Sequence, residues 1–385
     1  MRLEESKFLC DLLMIFNMVM VILFTYDLIY VRYEETIKSM QEFDKKFENF
    51  KKQFSDVLGK FAEKAFGSLT PSANLNQIQE ESEYEPRELN AIEAGKMLSE
   101  KKHILVLTGA GLSAASGIPT FRGSGGFWTK KYAGCKRPED LATRKFFEEQ
   151  TEAKWTWTHD FIDLINSKKP NEGHEAILKL QEFCSQNDVK CDLVTQNIDS
   201  YHSKLIKESK VLSTKNPTKG SKDYGFTSHV HEIHGNIKYM RCFEECNLNL
   251  YDIPPLNEKD DIIPKCTSCG SKMRPHVLWF DESYSERLYH LNTVQDILDK
   301  FTNGSNKSED ENSKYDPEDY ALVVVGTALA TNLANRIVMS CLKKDVLTIE
   351  VNLVSCLQAG NVVKVLGKSE EVLPELIDIY IDSKK

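Results

Sequence analysis

Four short apolar runs recur along the chain, and each ends in polar or glycine residues. The runs are His103–Leu107, Cys191–Thr195, Ala321–Val325 and Val346–Val351. Helix-like sequence separates them, and Glu88–Glu100 before the first run has the spacing of an amphipathic helix. This alternation is typical of parallel strands whose two faces are both covered. It predicts an α/β fold with a doubly wound parallel sheet, in which ligands bind beyond the carboxyl ends of the strands.

The N-terminal segment 1–31 has a different character. Phe8–Val31 is strongly apolar, but its uncharged core, Leu12–Tyr26, has only 15 residues, fewer than the ~20 that span a bilayer. Three interpretations remain open: a membrane anchor, a helix buried against the protein itself, or an incorrect start of the reading frame. The acidic residues Glu4 and Glu5 argue against a secretory signal and against a mitochondrial presequence.

Residues 32–86 are expected to form an amphipathic helix and a linker, so that the N-terminal extension is helical. Between Met40 and Phe61, large apolar residues recur at spacings of three and four, as on one face of a helix. That face packs on its own domain or, alternatively, mediates self-association through residues 40–61 or binding to a lipid surface. The polar and acidic stretch Thr70–Pro86 is typical of a linker.

Charge and cysteine content narrow the class of protein. The 385 residues include 49 Lys and Arg and 58 Asp and Glu, for a net charge of −9. Nucleic-acid binding needs clustered positive charge, so no direct contact with DNA or RNA is expected. The 10 cysteines are too sparse for a disulfide scaffold. Four of them are spaced for a metal, which favours a reducing intracellular compartment, cytoplasm or nucleus, with tethering to a membrane through residues 8–31 as a further expectation.

The metal spacing is C-x3-C-x19-C-x2-C, formed by Cys242, Cys246, Cys266 and Cys269. Four thiolates suit tetrahedral zinc, and four protein ligands leave no open coordination position, so the site is structural. Two disulfides or four free thiols are the alternative, but the paired short spacings favour zinc. We expect a zinc module at about residues 237–277.

Several longer motifs occur in a fixed order: TGAGLSAASGIPTFRG from Thr108, TQNID from Thr195, HGN from His234, the paired cysteines, RPHVLWFDE from Arg274, GTA from Gly326 and EVN from Glu350. Together they resemble the sirtuin family of NAD-dependent protein deacylases. The resemblance runs from about Glu88 to the C-terminus. It implies that residues 87–385 are a sirtuin-type catalytic domain, in which NAD binds between a Rossmann-like domain and a smaller zinc-binding one.

The resemblance also implies roles for single residues. His234 is expected to be the base that takes a proton from a ribose hydroxyl, a task that suits the imidazole pKa. Asn197 is expected to place the ribose or a water, as a second catalytic residue, and Asp199 to hold the nicotinamide carboxamide. The full set implied to bind the cofactor is Gly109, Ala110, Ser113, Phe121, Arg122, Gln196, Asn197, Asp199, Gly326, Thr327, Asn352 and Ser369.

A substrate site is implied by VLWFDE, which resembles the segment that clamps an acyl-lysine peptide through backbone pairing. Val277 and Phe280 are the expected contacts. Desuccinylases of the family carry a Tyr-x-x-Arg pair, and the matching positions here hold Thr158 and Phe161. Neither residue can pair with a carboxylate, and a buried, unpaired carboxylate is costly. The sequence therefore predicts a preference for neutral acyl groups, acetyl or longer aliphatic, over acidic ones.

The expected function is NAD-dependent protein-lysine deacylation, with deacetylation as the main reaction. The acyl group passes to ADP-ribose and nicotinamide is released. Two alternatives stay open: protein mono-ADP-ribosyltransfer, and a weakly active NAD-binding scaffold. Thr120 and Ala328 depart from the Asp and Ser that are usual in the family. The hydroxyl lost at Ala328 would weaken NAD binding by about 1 kcal/mol, the contribution of one neutral hydrogen bond.

Overall fold

The computed structural model describes residues 87–120, 138–212, 226–227, 230–256, 263–289, 291–303, 315–359 and 361–385. The predictions for segments 1–31 and 32–86 therefore lie outside the described residues, including membrane contact through 8–31 and self-association through 40–61. The expected cofactor contacts Phe121 and Arg122 lie outside them as well. The domain boundaries drawn from the sequence stay predictions.

The described strands are β1 (Arg87–Glu88), β2 (His103–Thr108), β3 (Lys190–Thr195), β4 (Phe226–Thr227), β5 (Val230–Glu232), β6 (Gly235–Cys242), β7 (Tyr251–Asp252), β8 (Met273–Val277), β9 (Tyr320–Val325), β10 (Leu347–Asn352) and β11 (Val362–Leu366). The described α-helices are α1 (Ala91–Ser99), α2 (Ala110–Ala114), α3 (Pro138–Leu141), α4 (Arg144–Glu149), α5 (Thr151–Asn166), α6 (Glu172–Gln186), α7 (Tyr201–Glu208), α8 (Glu286–Tyr289), α9 (Leu291–Asn303), α10 (Asn332–Leu342) and α11 (Ser369–Lys384). Within these ranges, none of the helices combines the length and apolar character needed to cross a bilayer.

The main sheet has the strand order β1-β11-β10-β9-β2-β3-β5-β4. All neighbouring pairs are parallel except β4 and β5. From β11 to β5 this is the Rossmann-like doubly wound order, and the direction of winding reverses between β2 and β9. The four predicted apolar runs form β10, β9, β2 and β3, which confirms the expected fold class. The reversal places a binding crevice beyond the carboxyl ends of β2 and β9.

The strands are apolar on both faces because helices cover both. Along β2, Ile104 and Val106 belong to one buried cluster, whereas Leu105 and Leu107 belong to the other, as the two-residue period of a strand requires. Helices α1, α6 and α11 contribute to the first cluster, and α9 and α10 to the second. Helix α1 begins later than the sequence pattern suggests, because Asn90 caps it by accepting a hydrogen bond from the Glu93 amide at 2.9 Å.

A smaller antiparallel sheet, in the order β7-β6-β8, carries the cysteine motifs. Its packing is aromatic: Phe147, Trp155 and Trp279 are buried together with Cys242 and Cys266. The indole nitrogen of Trp155 donates to the Met273 carbonyl at 3.1 Å, which joins helix α5 to strand β8. The three strands bury few aliphatic side chains of their own, so this sheet depends on neighbouring helices and on whatever the cysteines bind.

Candidate active site and metal centre

The two glycine turns after β2 and β9 pack directly against each other. The amide of Gly111 donates to the Gly326 carbonyl at 2.7 Å, and Gly326 adopts a φ of 57°. A Cβ on Gly109 would lie 2.6 Å from the Thr327 Cβ, and one on Gly111 would lie 2.7 Å from the Gly326 Cα. These glycines are therefore needed for contact between the turns, in addition to the approach of a phosphate expected from the sequence.

A buried polar cluster brings together three of the expected cofactor contacts. The Ser113 hydroxyl donates to Asp199 Oδ2 at 2.7 Å and accepts from Asn197 Nδ2 at 3.1 Å. The other Asp199 oxygen accepts from the Tyr201 amide at 3.0 Å. Asn197 also donates to the Gly109 carbonyl at 3.0 Å. Burial raises the pKa of Asp199, and the two hydrogen bonds to its carboxylate oppose that rise.

A second cluster joins the carboxyl ends of β3, β9 and β10. Gln196 donates to the Thr327 hydroxyl at 2.9 Å, and Asn352 donates to the Thr327 carbonyl at 3.0 Å. Ser369 is 6% exposed, and among the described residues its hydroxyl has no hydrogen-bond partner. A buried, unpartnered hydroxyl is a group that a bound polar ligand would satisfy. These side chains fit a dinucleotide, and their individual roles stay predictions.

His234 lies in the turn between β5 and β6, immediately before the first residue of β6. Its Nδ1 is 2.8 Å from the Gln196 carbonyl oxygen, which can only accept, so Nδ1 carries the proton. The lone pair of the neutral ring is then on Nε2, which lies 2.9 Å from the Tyr284 hydroxyl. Burial lowers the pKa of His234 to about 4. The ring is therefore neutral at neutral pH and has an acceptor nitrogen, as a general base requires.

Gly235 gives this segment its close approach to β8. Its φ is 77°, and a Cβ there would lie 2.2 Å from the His276 carbonyl oxygen. The carbonyl of His234 accepts from the Leu278 amide at 2.9 Å. The backbone around the expected base is thus bonded to the expected peptide clamp, and only glycine fits at the point of contact.

Tyr284 and Glu232 also belong to the site, although the sequence analysis did not single them out. Glu232 accepts from Ser203 and Asn236, each at 2.7 Å, and burial raises its pKa to about 7. An acidic residue at the end of the buried strand β5 was a usable signal for Glu232. Tyr284 reaches His234 only through the fold, 50 residues away along the chain, so no local spacing could have identified it.

The segment VLWFDE leaves β8 and turns against two other elements. Phe280 is 52% exposed, and its amide donates to the Ala142 carbonyl at 2.9 Å. The Trp279 amide donates to Glu282 Oε2 at 3.0 Å. With the Leu278 bond above, three successive amides of this segment are used within the protein. A peptide that pairs here would have to donate its own amides to carbonyls of the segment.

A buried ion pair braces the same segment. Arg274 is fully buried and holds Glu282 with both terminal nitrogens, one of them at 2.9 Å from Oε2. The same guanidinium donates to the Val277 carbonyl at 2.8 Å and lies 3.3 Å from the centre of the Trp279 ring. A bidentate pair of this kind fixes both position and orientation. Arg274 therefore sets the path of the chain from Val277 to Glu282.

The four cysteines of the metal motif converge as the spacing predicted. Their sulfur atoms all lie within 4.8 Å of one another, with Cys242 and Cys269 at 3.6 Å and Cys246 and Cys266 at 3.5 Å. Zinc–sulfur bonds of ~2.3 Å in a tetrahedron place sulfurs ~3.8 Å apart. The donor set and its geometry fit one structural zinc ion with all four positions filled by protein.

Comparison with known proteins identifies relatives of this chain. The Sir2 family model matches residues 109–301. An NAD-dependent protein deacylase of Aquifex aeolicus is 39% identical over 184 residues, covering 48% of this chain and 64% of the relative. The NAD-dependent protein deacylase sirtuin-5 of Danio rerio is 34% identical, again with 64% of the relative covered. The chain thus spans slightly less than two thirds of these two relatives.

Other matches are more complete. An NAD-dependent protein deacylase of Leptospira interrogans is 32% identical over 281 residues, which cover 73% of this chain and 94% of that protein. Among solved structures, a complex of a Sir2 homologue with NAD is 26% identical, with a TM-score of 0.59, and the match covers 78% of this chain and 97% of that one. The family model spans half of this chain, and the match to the Leptospira relative covers almost all of that protein, so the chain belongs to the Sir2 family.

Proposed function

We propose that the protein is an NAD-dependent protein-lysine deacylase, with deacetylation as its main reaction. The observation that carries the proposal is the state of His234. It is a neutral imidazole with Nδ1 bonded to a backbone carbonyl and its acceptor nitrogen, Nε2, bonded to the Tyr284 hydroxyl, at the carboxyl edge of a doubly wound sheet. The named relatives support the same activity, since each is an NAD-dependent protein deacylase.

The chemistry divides between cofactor and protein. When bound, NAD would supply the ribose that loses nicotinamide and takes up the acyl group as an ester. Asn197, bonded to Ser113, would place the nicotinamide-side ribose, Asp199 would hold the nicotinamide carboxamide, and Asn352 and Ser369 would contact the adenosine side. His234 then accepts a proton from a ribose hydroxyl. The protein thus contributes orientation first and proton removal second.

The acyl-lysine partner is a protein or peptide, with contacts at Val277 and Phe280. We infer a preference for neutral acyl groups. Thr158 is buried and donates to the Lys154 carbonyl at 2.8 Å, and Phe161 stacks on Trp157 with ring centres 5.2 Å apart. Neither position offers a charge to an acidic acyl group, so its carboxylate would be left unpaired.

Rates on acetyl-lysine and succinyl-lysine versions of one peptide test this preference. Acetyl removal is expected to be at least about 10-fold faster, the effect of leaving about 1.4 kcal/mol of carboxylate solvation unrecovered. Faster succinyl removal would refute the inference. It would direct attention to Lys154, a buried cation whose ammonium lies 4.0 Å from the centre of the Trp157 ring.

The four-cysteine centre also bears on the cellular setting. A site that needs four reduced thiols suits a reducing compartment. Membrane contact through residues 8–31 and self-association through residues 40–61 stay predictions of the sequence. Sedimentation of the full chain, with and without lipid vesicles, measures both.

Incubation of the zinc-loaded full chain with an acetyl-lysine peptide, with and without NAD, tests the proposed function. We expect the peptide to lose its acetyl group only when NAD is present, and nicotinamide and O-acetyl-ADP-ribose to form at the same time. Mass spectrometry measures all three changes. Release of nicotinamide while the peptide stays acetylated would indicate ADP-ribosyltransfer or NAD hydrolysis instead. No turnover by a folded sample would leave the NAD-binding scaffold as the explanation.

A further inference from the structure

The acceptor nitrogen of His234 already has a hydrogen-bond partner within the protein. Its Nε2 lies 2.9 Å from the Tyr284 hydroxyl. A neutral imidazole has one lone pair, in the plane of the ring, and Nδ1 is occupied as a donor to the Gln196 carbonyl. The Tyr284 hydroxyl is therefore the donor in this contact. A ribose hydroxyl that approached the base to give up its proton would therefore meet the Tyr284 hydroxyl before it met Nε2.

Tyr284 is held in this position from two sides. Its ring packs against the apolar cluster to which β9 and α10 contribute, and Glu282, two residues before it in the chain, is anchored by Arg274. Thr331 faces the same phenol and donates its own hydroxyl proton to Gln196 Oε1 at 3.0 Å. The base, the phenol, Thr331 and Gln196 thus form one connected group.

We propose that Tyr284 is a further catalytic residue, which relays the ribose proton to His234. The phenol oxygen accepts the proton from the ribose hydroxyl while the phenol's own proton moves to Nε2. One ribose O–H bond and one phenol O–H bond break, and one phenol O–H bond and one Nε2–H bond form. The phenol ends as it began, the ribose oxygen carries the negative charge, and the imidazole becomes imidazolium.

The electrostatics suit a relay that stays protonated at rest. Burial raises the pKa of Tyr284 to about 12, so the phenol keeps its proton at neutral pH and has one to give. The inference rests on the proposed deacylase function. The relay acts after nicotinamide departure, so the relay and the proposed function can be tested separately. Exchange of labelled nicotinamide into NAD measures the earlier step, and acyl transfer measures the later one.

The test is Tyr284→Phe in the zinc-loaded full chain. We expect deacylation kcat to fall about 100-fold, the usual effect of losing a proton-transfer group, while nicotinamide exchange and the Kd for NAD change less than about twofold. In mixtures of H₂O and D₂O the wild-type rate should curve, as two protons in flight require, and the residual Tyr284→Phe rate should be linear. Unchanged or faster deacylation would overturn the relay and make Tyr284 a placeholder that the ribose displaces.

Two further measurements keep the proposal falsifiable. Tyr315→Phe is the matched control, because it also removes one phenol hydrogen bond, to the Phe301 carbonyl at 2.9 Å, and it should leave kcat unaltered. If Tyr284→Phe fails to fold, Tyr284→3-fluorotyrosine keeps the shape while acidifying the phenol. It should move the alkaline limb of the pH–rate profile to lower pH, and an unmoved limb would count against the relay.

The hydrogen bond itself can be observed without turnover. In the protein labelled with ¹⁵N-histidine, Nε2 of His234 should show the chemical shift of a hydrogen-bond acceptor in the wild type and lose it in Tyr284→Phe. Identical shifts in the two proteins would refute the contact from which the relay is inferred. Absence of both exchange and deacylation in the wild type would instead refute the proposed function.

Discussion

The carboxyl edge of the main sheet and the four-cysteine centre both gather polar groups in a confined space, but the groups are stabilised in different ways. At the sheet edge these groups satisfy one another, as when the Thr108 hydroxyl donates to that of Thr195 at 2.8 Å beneath the site. At the cysteine centre, sulfur atoms only 3.5 to 3.6 Å apart face each other, and a metal must complete the arrangement.

The difference follows from the amount of apolar surface beneath each region. The main sheet rests on two large clusters that cover both faces, so its polar edge is held by a core that exists without ligand. The small sheet has three short strands and one mainly aromatic cluster. A region that buries so little of its own surface depends on a metal for stability. We therefore expect the two regions to fail independently.

Loss of a zinc ligand should have the largest effect. Cys266→Ser is expected to abolish zinc retention and deacylation, because binding of structural zinc contributes on the order of 10–16 kcal/mol in small zinc peptides. The main sheet should survive, so far-UV circular dichroism should change little while metal analysis reports the loss. Cys191→Ser, on β3, is the control and should keep one zinc per chain. Full zinc content in Cys266→Ser would contradict the assigned ligand set.

Removal of the base should affect chemistry and leave both regions folded. His234→Ala is expected to lower deacylation by 10²–10⁴-fold, the contribution of a positioned general base. Nicotinamide exchange should persist, because proton removal follows nicotinamide departure in the proposed sequence. Quantitative mass spectrometry of both products measures the two steps. Equal loss of exchange and deacylation would show that His234 acts earlier than proposed.

The buried Arg274–Glu282 ion pair, which braces the segment after β8, should come next in size. Arg274→Met leaves the Glu282 carboxylate largely buried without its partner, which should cost about 3–5 kcal/mol in the free energy of unfolding. Lys102→Met breaks the exposed pair with Asp319 and should change the free energy of unfolding little, because solvent screens an exposed ion pair. Urea denaturation compares the two variants. A similar loss of unfolding free energy in both variants would mean that the buried Arg274–Glu282 pair stabilises the protein no more than an exposed pair does.

The smallest expected effect is a change of stability with pH, which Glu232 at the sheet edge should cause. The pKa of Glu232 is raised to about 7 in the folded chain, above the ordinary 4.5. Its contribution to stability is therefore full below about pH 4.5 and is lost as pH rises through 7. The difference in unfolding free energy between wild type and Glu232→Gln should fall over that interval and level off above it. A flat difference would place the titration of Glu232 outside this range.

The sequence pattern predicts some elements of this fold and misses others. The runs that became β2, β3, β9 and β10 were visible because central parallel strands are apolar on both faces. The short strands β1, β5 and β11 were not, since strands of two to five residues carry too few positions for a pattern. The cysteines were found from spacing alone, because the short loop between each pair of ligands is local geometry.

The fold class and the metal ligands could be predicted from the chain because apolar runs and cysteine spacing are local patterns, and the resemblance of the HGN motif made His234 the expected base. The folded structure was needed to show which nitrogen of His234 is the acceptor, that Tyr284 lies against it, and that Arg274 holds the segment after β8. Those contacts join elements separated in the chain, and burial then sets the pKa values on which their chemistry depends.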